Sequence, residues 1–243
     1  MRVAMFSCGV SSFCALLLAD NVDRIIYTHI DDQHEDTLRY LHDCVRYLGR
    51  EIEVLQSPYR SVENVIRAHR YVNGPGGAKC TEILKRRVRK EWEAQFDESV
   101  TYVWGYDASE TARALRLQET MPGHTHEFPL ISAAMSKSDC HGMLAKTGIK
   151  RPYMYHMGYP NNNCIGCVKG GMGYWNRIRK DFPEVFRARA QLERDIGHSC
   201  INGVFLDELA PGRGRMSAEI MPDCSIACEI AGSPIGLRKE ATP

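Results

Sequence analysis

A short apolar run, Val3-Ala4-Met5-Phe6, breaks at once into Ser7-Cys8-Gly9-Val10-Ser11-Ser12 and resumes as the apolar stretch 13–18. The pattern is a buried strand, a turn of small residues and the start of a helix. It makes the helix begin at the carboxyl end of a strand, the repeating joint of open parallel α/β sheets. There the first amides of the helix point outward, where they can hold an anion. Gly9 permits close backbone approach, and the hydroxyls of Ser7, Ser11 and Ser12 add donors. Small polar residues at this place are equally ordinary helix capping, and the hexapeptide alone leaves both readings open.

The alternation continues along the chain. Strands are predicted over 24–30, 51–55 and 100–104, with a weaker one over 126–131. Between them, Leu38, Leu41, Val45 and Leu48 recur at helical spacing within 35–48, and helices are also predicted over 62–71, 81–96, 108–118 and 136–147. Strands alternating with helices imply five parallel strands covered on both faces. After Arg151 the pattern changes to a Gly/Asn-rich loop, two short helices around Trp175 and Val185, and an irregular cysteine-bearing tail. Residues 1–150 are therefore expected to form the α/β core, and 151–243 a C-terminal segment folded back over it.

The net charge of +1 gives no global signal for a nucleic-acid or membrane partner. The basic run from Lys85-Arg86-Arg87 to Lys90 reads as a solvated helix face, with substrate binding as the lesser alternative. The start of the chain carries no signal-peptide pattern, and no apolar stretch approaches the ~20 residues of a membrane helix. A cytoplasmic location is expected. Ten cysteines in a cytoplasmic chain favour metal binding or thiol chemistry over disulfides. Cys14 and Cys44 fall in apolar helical patterns and are expected in the core.

The sharpest local signal is Cys164-Ile165-Gly166-Cys167, between Asn161-Asn162-Asn163 and Gly170-Gly171. Two cysteines three apart in a tight turn can aim both sulfurs at one ion. A redox dithiol is the competing reading, but its usual place, at a helix start after an early strand, is not this one. Three neighbouring asparagines imply a solvated loop. The Tyr174-Trp175 pair is expected to shield this loop and pack the tail on the core, while Arg177 and Lys180 are weaker candidates for nucleotide phosphate.

Taken together, these segments resemble a known family. Ser7 to Ser12 is similar to the PP-loop, Ser-Gly-Gly-x-Asp-Ser, of adenine-nucleotide alpha hydrolases. Ser7, Gly9 and Ser12 match, Cys8 replaces a glycine and Ser11 the aspartate. His29-Ile30-Asp31-Asp32 stands where such folds contact adenosine, which makes Asp31 a candidate. Gly105-Tyr106-Asp107-Ala108-Ser109-Glu110 and Arg113 resemble the Gly-x-Arg-x-x-Glu-Ser segment of sulfonucleotide reductases, without the arginine inside the run. Asp107 and Glu110 also read as a capping box. The ordered set resembles phosphoadenosine-phosphosulfate (PAPS) reductase-like proteins, of the sort found in bacteriophage genomes.

The resemblance implies a Rossmann-like, doubly wound parallel sheet of the PP-loop/HUP type. It implies ATP, APS or PAPS on Ser7, Cys8, Gly9, Ser11, Ser12, Asp31, Gly105 and Arg113. It also implies a [4Fe–4S] cluster on Cys80, Cys164 and Cys167. Thr81 stands where such proteins carry a second early cysteine, so the fourth ligand is open, and zinc is the rival metal. Cys224-Ser225-Ile226-Ala227-Cys228-Glu229 loosely resembles the reductases' C-terminal segment, which makes Cys228, with Cys224 second, the expected nucleophile. Cys200 is a further candidate.

Three functions follow as expectations. The first is sulfonucleotide reduction by a tail thiol, with a thiol protein as electron donor. The second is ATP-dependent sulfur transfer to a nucleoside or nucleic acid, against which the missing PP-loop carboxylate counts. The third is a non-catalytic nucleotide-binding module with structural zinc. A homo-oligomer is compatible with each.

Overall fold

In the computed structural model, residues 1–74 and 77–215 are described. The expected nucleophiles Cys224 and Cys228 lie outside the described residues. The elements run β1 (Arg2–Phe6), α1 (Val10–Leu18), β2 (Arg24–His29), α2 (Asp36–Leu48), β3 (Glu53–Gln56) and α3 (Val62–His69). Then come α4 (Lys79–Thr81), a π-helical turn (Glu82–Arg86), α5 (Arg87–Glu93) and β4 (Thr101–Trp104). A 3-10 turn, Ala108–Glu110, leads into α6 (Thr111–Thr120), β5 (Thr125–Glu127), α7 (Pro129–Ser132) and α8 (Lys137–Lys146). The C-terminal segment holds α9 (Tyr153–His156), α10 (Met172–Asp181) and α11 (Pro183–Ile196).

The sheet order is β3-β2-β1-β4-β5, and every pairing is parallel. The chain winds outward from β1 to β3, returns to place β4 on the free side of β1, and winds outward again. The order therefore reverses between β1 and β4. An open parallel sheet leaves a crevice there, outside the carboxyl ends of the strands.

Alternate strand residues feed two cores. Ala4, Phe6, Ile25, Tyr27 and Val103 meet Phe13, Tyr40, Leu41 and Leu144 from α1, α2 and α8. Val3, Ile26, Tyr102 and Trp104 meet Trp92, Ala114 and Leu117 from α5 and α6. A central strand with both faces covered buries nearly every side chain, which is why β1 and β2 read as apolar runs. Cys14 and Cys44 are fully buried, as expected. A third core lies beyond the carboxyl ends of the strands. It joins Ile30, α3 and the segment 78–84 to side chains from 154–209, so residues on both sides of position 150 share it.

Two predicted elements differ. The helix expected over 81–96 is split by the π-helical turn, a local rearrangement that often marks functional positions. The strand expected over 126–131 stops at Glu127. Pro129 has no N–H for the ladder and its fixed φ suits the first helical turn, so the chain enters α7 there.

Candidate functional site

The Ser7–Ser12 turn lies at the β1 side of the crevice. Its hydroxyls are woven into the backbone: Ser12 Oγ donates to Gly9 O at 2.9 Å and accepts from Ser7 N at 3.2 Å. Cys8, standing where the PP-loop has glycine, takes φ +56°. That left-handed conformation costs an L-residue roughly 1–2 kcal/mol and suits glycine. Gly105, at the end of β4, closes the turn from the other side. A Cβ on Gly105 would stand 2.4 Å from Ser12 Cα. Its place in the site is thus one of close backbone approach.

A cleft opens beside this turn, lined by Ser7 and Thr28 from the strand ends and by Lys85, Arg86 and Arg89 from the opposite wall. Here the structure corrects the solvated-face reading. Arg87 and Lys90 are exposed, whereas the π-helical turn brings Lys85 and Arg86 to the cleft and buries Arg89. Glu93 at 2.9 Å and the Tyr102 hydroxyl at 3.0 Å hold Arg89 from behind. These three cations are candidate site residues that the sequence alone gave only as the lesser alternative. A helical count at 3.6 residues per turn does not foresee a π-turn.

Arg113 is buried, ion-paired with Glu110, and lies 4.4 Å over the Tyr106 ring. The capping box between Asp107 and Glu110 is present. Asp31 is half-exposed and bound by Arg60 at 2.9 Å and Gln56 at 2.8 Å, and the hydrogen bond from Arg60 holds its carboxyl below the usual range. Asp32 is more deeply set. Burial raises its pKa, opposed by Arg189 at 3.4 Å and the Val62 amide at 2.7 Å.

The Cys164–Cys167 turn is not solvated. Asn161, Asn162, Asn163 and both cysteines are each less than a tenth exposed. The asparagines are buried because their amides serve as internal partners. Asn162 Nδ2 donates to Cys8 O and Thr37 Oγ1. Ile165 N, inside the turn, donates to Asp32 O at 2.8 Å. Tyr174 staples the turn: its hydroxyl accepts from Cys167 N at 3.0 Å and donates to Cys164 O at 3.1 Å. Gly166 has φ +71°, and a Cβ there would meet Val185 at 2.7 Å. Tyr174 and Trp175 are buried against this loop, while Arg177 is held by Asp181 and Met157 within the C-terminal segment.

Cys80, Cys164, Cys167 and Cys200 are all buried in the third core. Burial, then Glu193, pushes the Cys200 thiol up, with Arg189 opposing and Cys80 adding to the rise, which sets these groups near one another. Among the described residues, no three His, Cys, Asp or Glu side chains are grouped closely enough to hold a metal ion as they stand. The same core contains two N–H-bearing side chains with donors that meet no acceptor among the described residues: Trp175 at Nε1, and Arg189 at Nε and Nη1.

A turn of small residues at the switch point of a doubly wound, five-stranded parallel sheet defines a Rossmann-like α/β protein, the architecture that the sequence resemblance implied. Among solved structures, phosphoadenylyl-sulfate (PAPS) reductase from Candida auris, in its phosphate complex, is similar to this chain. The two are 10% identical, with 67% of this chain and 80% of that chain covered and a TM-score of 0.49. No protein-family model and no curated protein matches the chain. Among the described residues, no helix is long and apolar enough to cross a membrane.

Proposed function

We propose that the chain is a PAPS reductase-like enzyme that binds an adenine nucleotide at the β1–β4 crevice. The observation that carries this reading is one cleft lined by Ser7, the first residue of the Ser7–Ser12 turn, and by Lys85, Arg86 and Arg89. A turn of small residues at a helix start and three guanidinium or ammonium groups beside it suit a multiply charged phosphate or sulfate. An ATP-cleaving enzyme of this architecture uses a PP-loop carboxylate, and here that position is Ser11. A sulfonucleotide needs no such carboxylate, so it is the favoured substrate over ATP.

In the reaction, the thiolate of Cys228 in the tail attacks the sulfate sulfur of the bound nucleotide. The bond from sulfur to the phosphate oxygen breaks, leaving an adenosine phosphate and an S-sulfonated cysteine. A donor thiol then displaces sulfite and forms a disulfide. The cationic wall both holds the nucleotide and favours the thiolate as it approaches.

Cys80, Cys164 and Cys167 are the proposed ligands of a thiolate-bound metal, [4Fe–4S] first and zinc second. The donor set suits a soft metal, and the acceptor-less N–H groups of Trp175 and Arg189 suit an anionic centre in this core. Binding would draw the thiols closer than they stand. When bound, the metal would tie the Cys164–Cys167 turn to α4 beside the anion cleft.

Calorimetry with APS, PAPS and ATP tests the nucleotide site. Gly9→Asp puts a carboxylate among the turn amides and should abolish binding, and equal affinity in wild type and variant overturns the assignment. Thiol-dependent sulfite release that survives Cys228→Ser overturns the nucleophile. The metal content and visible spectrum of anaerobically purified protein separate iron–sulfur, absorbing near ~400 nm, from colourless zinc.

A further inference from the structure

Tyr27 and Thr28 bring β2, the strand beside β1, into the lining of the anion cleft. From there a line of side chains leads along the carboxyl edge of the sheet. The Tyr27 hydroxyl lies 3.0 Å from His29 Nδ1, and His29 Nε2 lies 3.6 Å from Asp31 Oδ1. Asp31 in turn accepts from Arg60 Nε at 2.9 Å. The line that starts in the cleft therefore ends on an arginine.

Arg60 is built into this place. Its φ of +61° is left-handed, a conformation that residues other than glycine rarely take. Its N–H donates to Ser57 O at 3.0 Å, and its carbonyl accepts from Asp31 N at 3.1 Å. Main chain and side chain both tie Arg60 to Asp31.

In open α/β sheets that bind dinucleotides, the end of the second strand reads the ribose. A carboxylate there accepts from a hydroxyl, and an arginine nearby receives a phosphate. Here the two residues differ in what they leave available. A carboxylate has about four acceptor sites. Asp31 has committed its oxygens to Gln56 Nε2 at 2.8 Å and to Arg60 Nε and Nη2 at 2.9 and 3.4 Å, with His29 facing it as well. The Arg60 side chain is 62% exposed, and its Nη1 meets no acceptor among the described residues. The pair thus offers donors to a ligand, and a phosphate is what a guanidinium fork fits.

We propose that Arg60 is a specificity-determining residue that binds a phosphate carried on the ribose, so that the nucleotide is a 3′-phosphorylated one. Of ATP, APS and PAPS, only PAPS carries that group. This rests on the nucleotide reading above and names its substrate class.

Calorimetry on the full chain should compare adenosine 3′,5′-bisphosphate with AMP, which differ by the one phosphate and carry no sulfate to react. Wild type should bind the bisphosphate more tightly. Arg60→Ala should weaken the bisphosphate about tenfold, the scale of one hydrogen bond to a charged group, and change AMP by less than about twofold. The loss should shrink at high salt, since the side chain is exposed. Arg60→Lys keeps the charge and should lose less. If Arg60 only ties the loop before α3 to the end of β2, Arg60→Ala weakens both ligands alike. That result, or a wild type that binds the two equally, overturns the proposal. Should Arg60→Ala fail to fold by circular dichroism, Arg60→Gly, which suits the left-handed backbone, decides it by the same ratio. Undiminished binding of both ligands by Gly9→Asp overturns the crevice site itself, and the proposal with it.

Discussion

The side-chain amide of Asn162 donates to the main-chain carbonyl of Cys8 at 2.9 Å, joining positions 154 residues apart. The same nitrogen reaches Thr37 Oγ1 at 3.1 Å on α2. The cysteine loop and the anion turn are therefore built as one unit. A change in one is felt at the backbone of the other.

Replacing Asn162 by leucine leaves the Cys8 carbonyl buried without its partner, which costs about 1–3 kcal/mol. Urea unfolding should show a lower midpoint with an unchanged slope. Nucleotide affinity should fall as well, since Cys8 is held at a φ that its own side chain disfavours. An unchanged midpoint would mean that the loop and the turn are independent.

Gly105→Ala should be disproportionate for the loss of one hydrogen atom. The added methyl would meet backbone rather than a movable side chain, at 2.4 Å from Ser12 Cα and 2.7 Å from Ser12 N. Either β4 or the start of α1 must shift, and both line the crevice. We expect nucleotide binding to be lost in calorimetry while the circular-dichroism spectrum persists. Retained binding would place the nucleotide elsewhere.

Lys85→Ala and Arg86→Ala should each weaken anion binding by roughly tenfold, the scale of one hydrogen bond to a charged group. Both effects should shrink at high salt, because these side chains are only partly buried. Arg87→Ala, on the exposed side of the same helix, is the control and should change nothing. Equal losses at all three positions would indicate a general field rather than a built wall.

His126 carries a pH dependence of definite sign. Trp104 Nε1 donates to its Nδ1 at 3.0 Å, so Nε2 carries the proton toward Met121 O, also at 3.0 Å. The ring is thereby used as a neutral tautomer. Burial above all lowers its pKa from the ordinary 6.5, with His124 and Arg89 adding to the fall and the Met121 carbonyl opposing it. The unfolded chain then binds the proton more readily than the folded one. Stability conferred by neutral His126 is complete above about 6.5 and is lost as pH falls through its lower folded value. Urea midpoints at pH 7.5 and pH 5 should differ less in His126→Gln than in wild type, and an equal difference would remove His126 as the cause.

The local elements of the fold were legible because their causes are local. Val3 to Phe6, the small turn and the apolar start of α1 state a strand–turn–helix joint by composition alone, and Asp107 with Glu110 states a helix start. Burial on both faces leaves its mark in the apolar runs of β1 and β2. Other features had no local cause. The π-turn that brings Lys85 and Arg86 to the cleft and the burial of Asn161 to Asn163 depend on what the chain meets from far away in sequence. So do the buried Arg189 and Trp175 donors that meet no acceptor among the described residues. A run of asparagines reads as solvated until Cys8 and Thr37 arrive to accept from Asn162, and a basic helix reads as a surface until its geometry departs from 3.6 residues per turn. Sequence by itself determined the layers, the crevice and the chemistry at hand. Tertiary structure decided which cations face the crevice and which buried donors need an acceptor, because these depend on contacts between segments that only the fold makes neighbours.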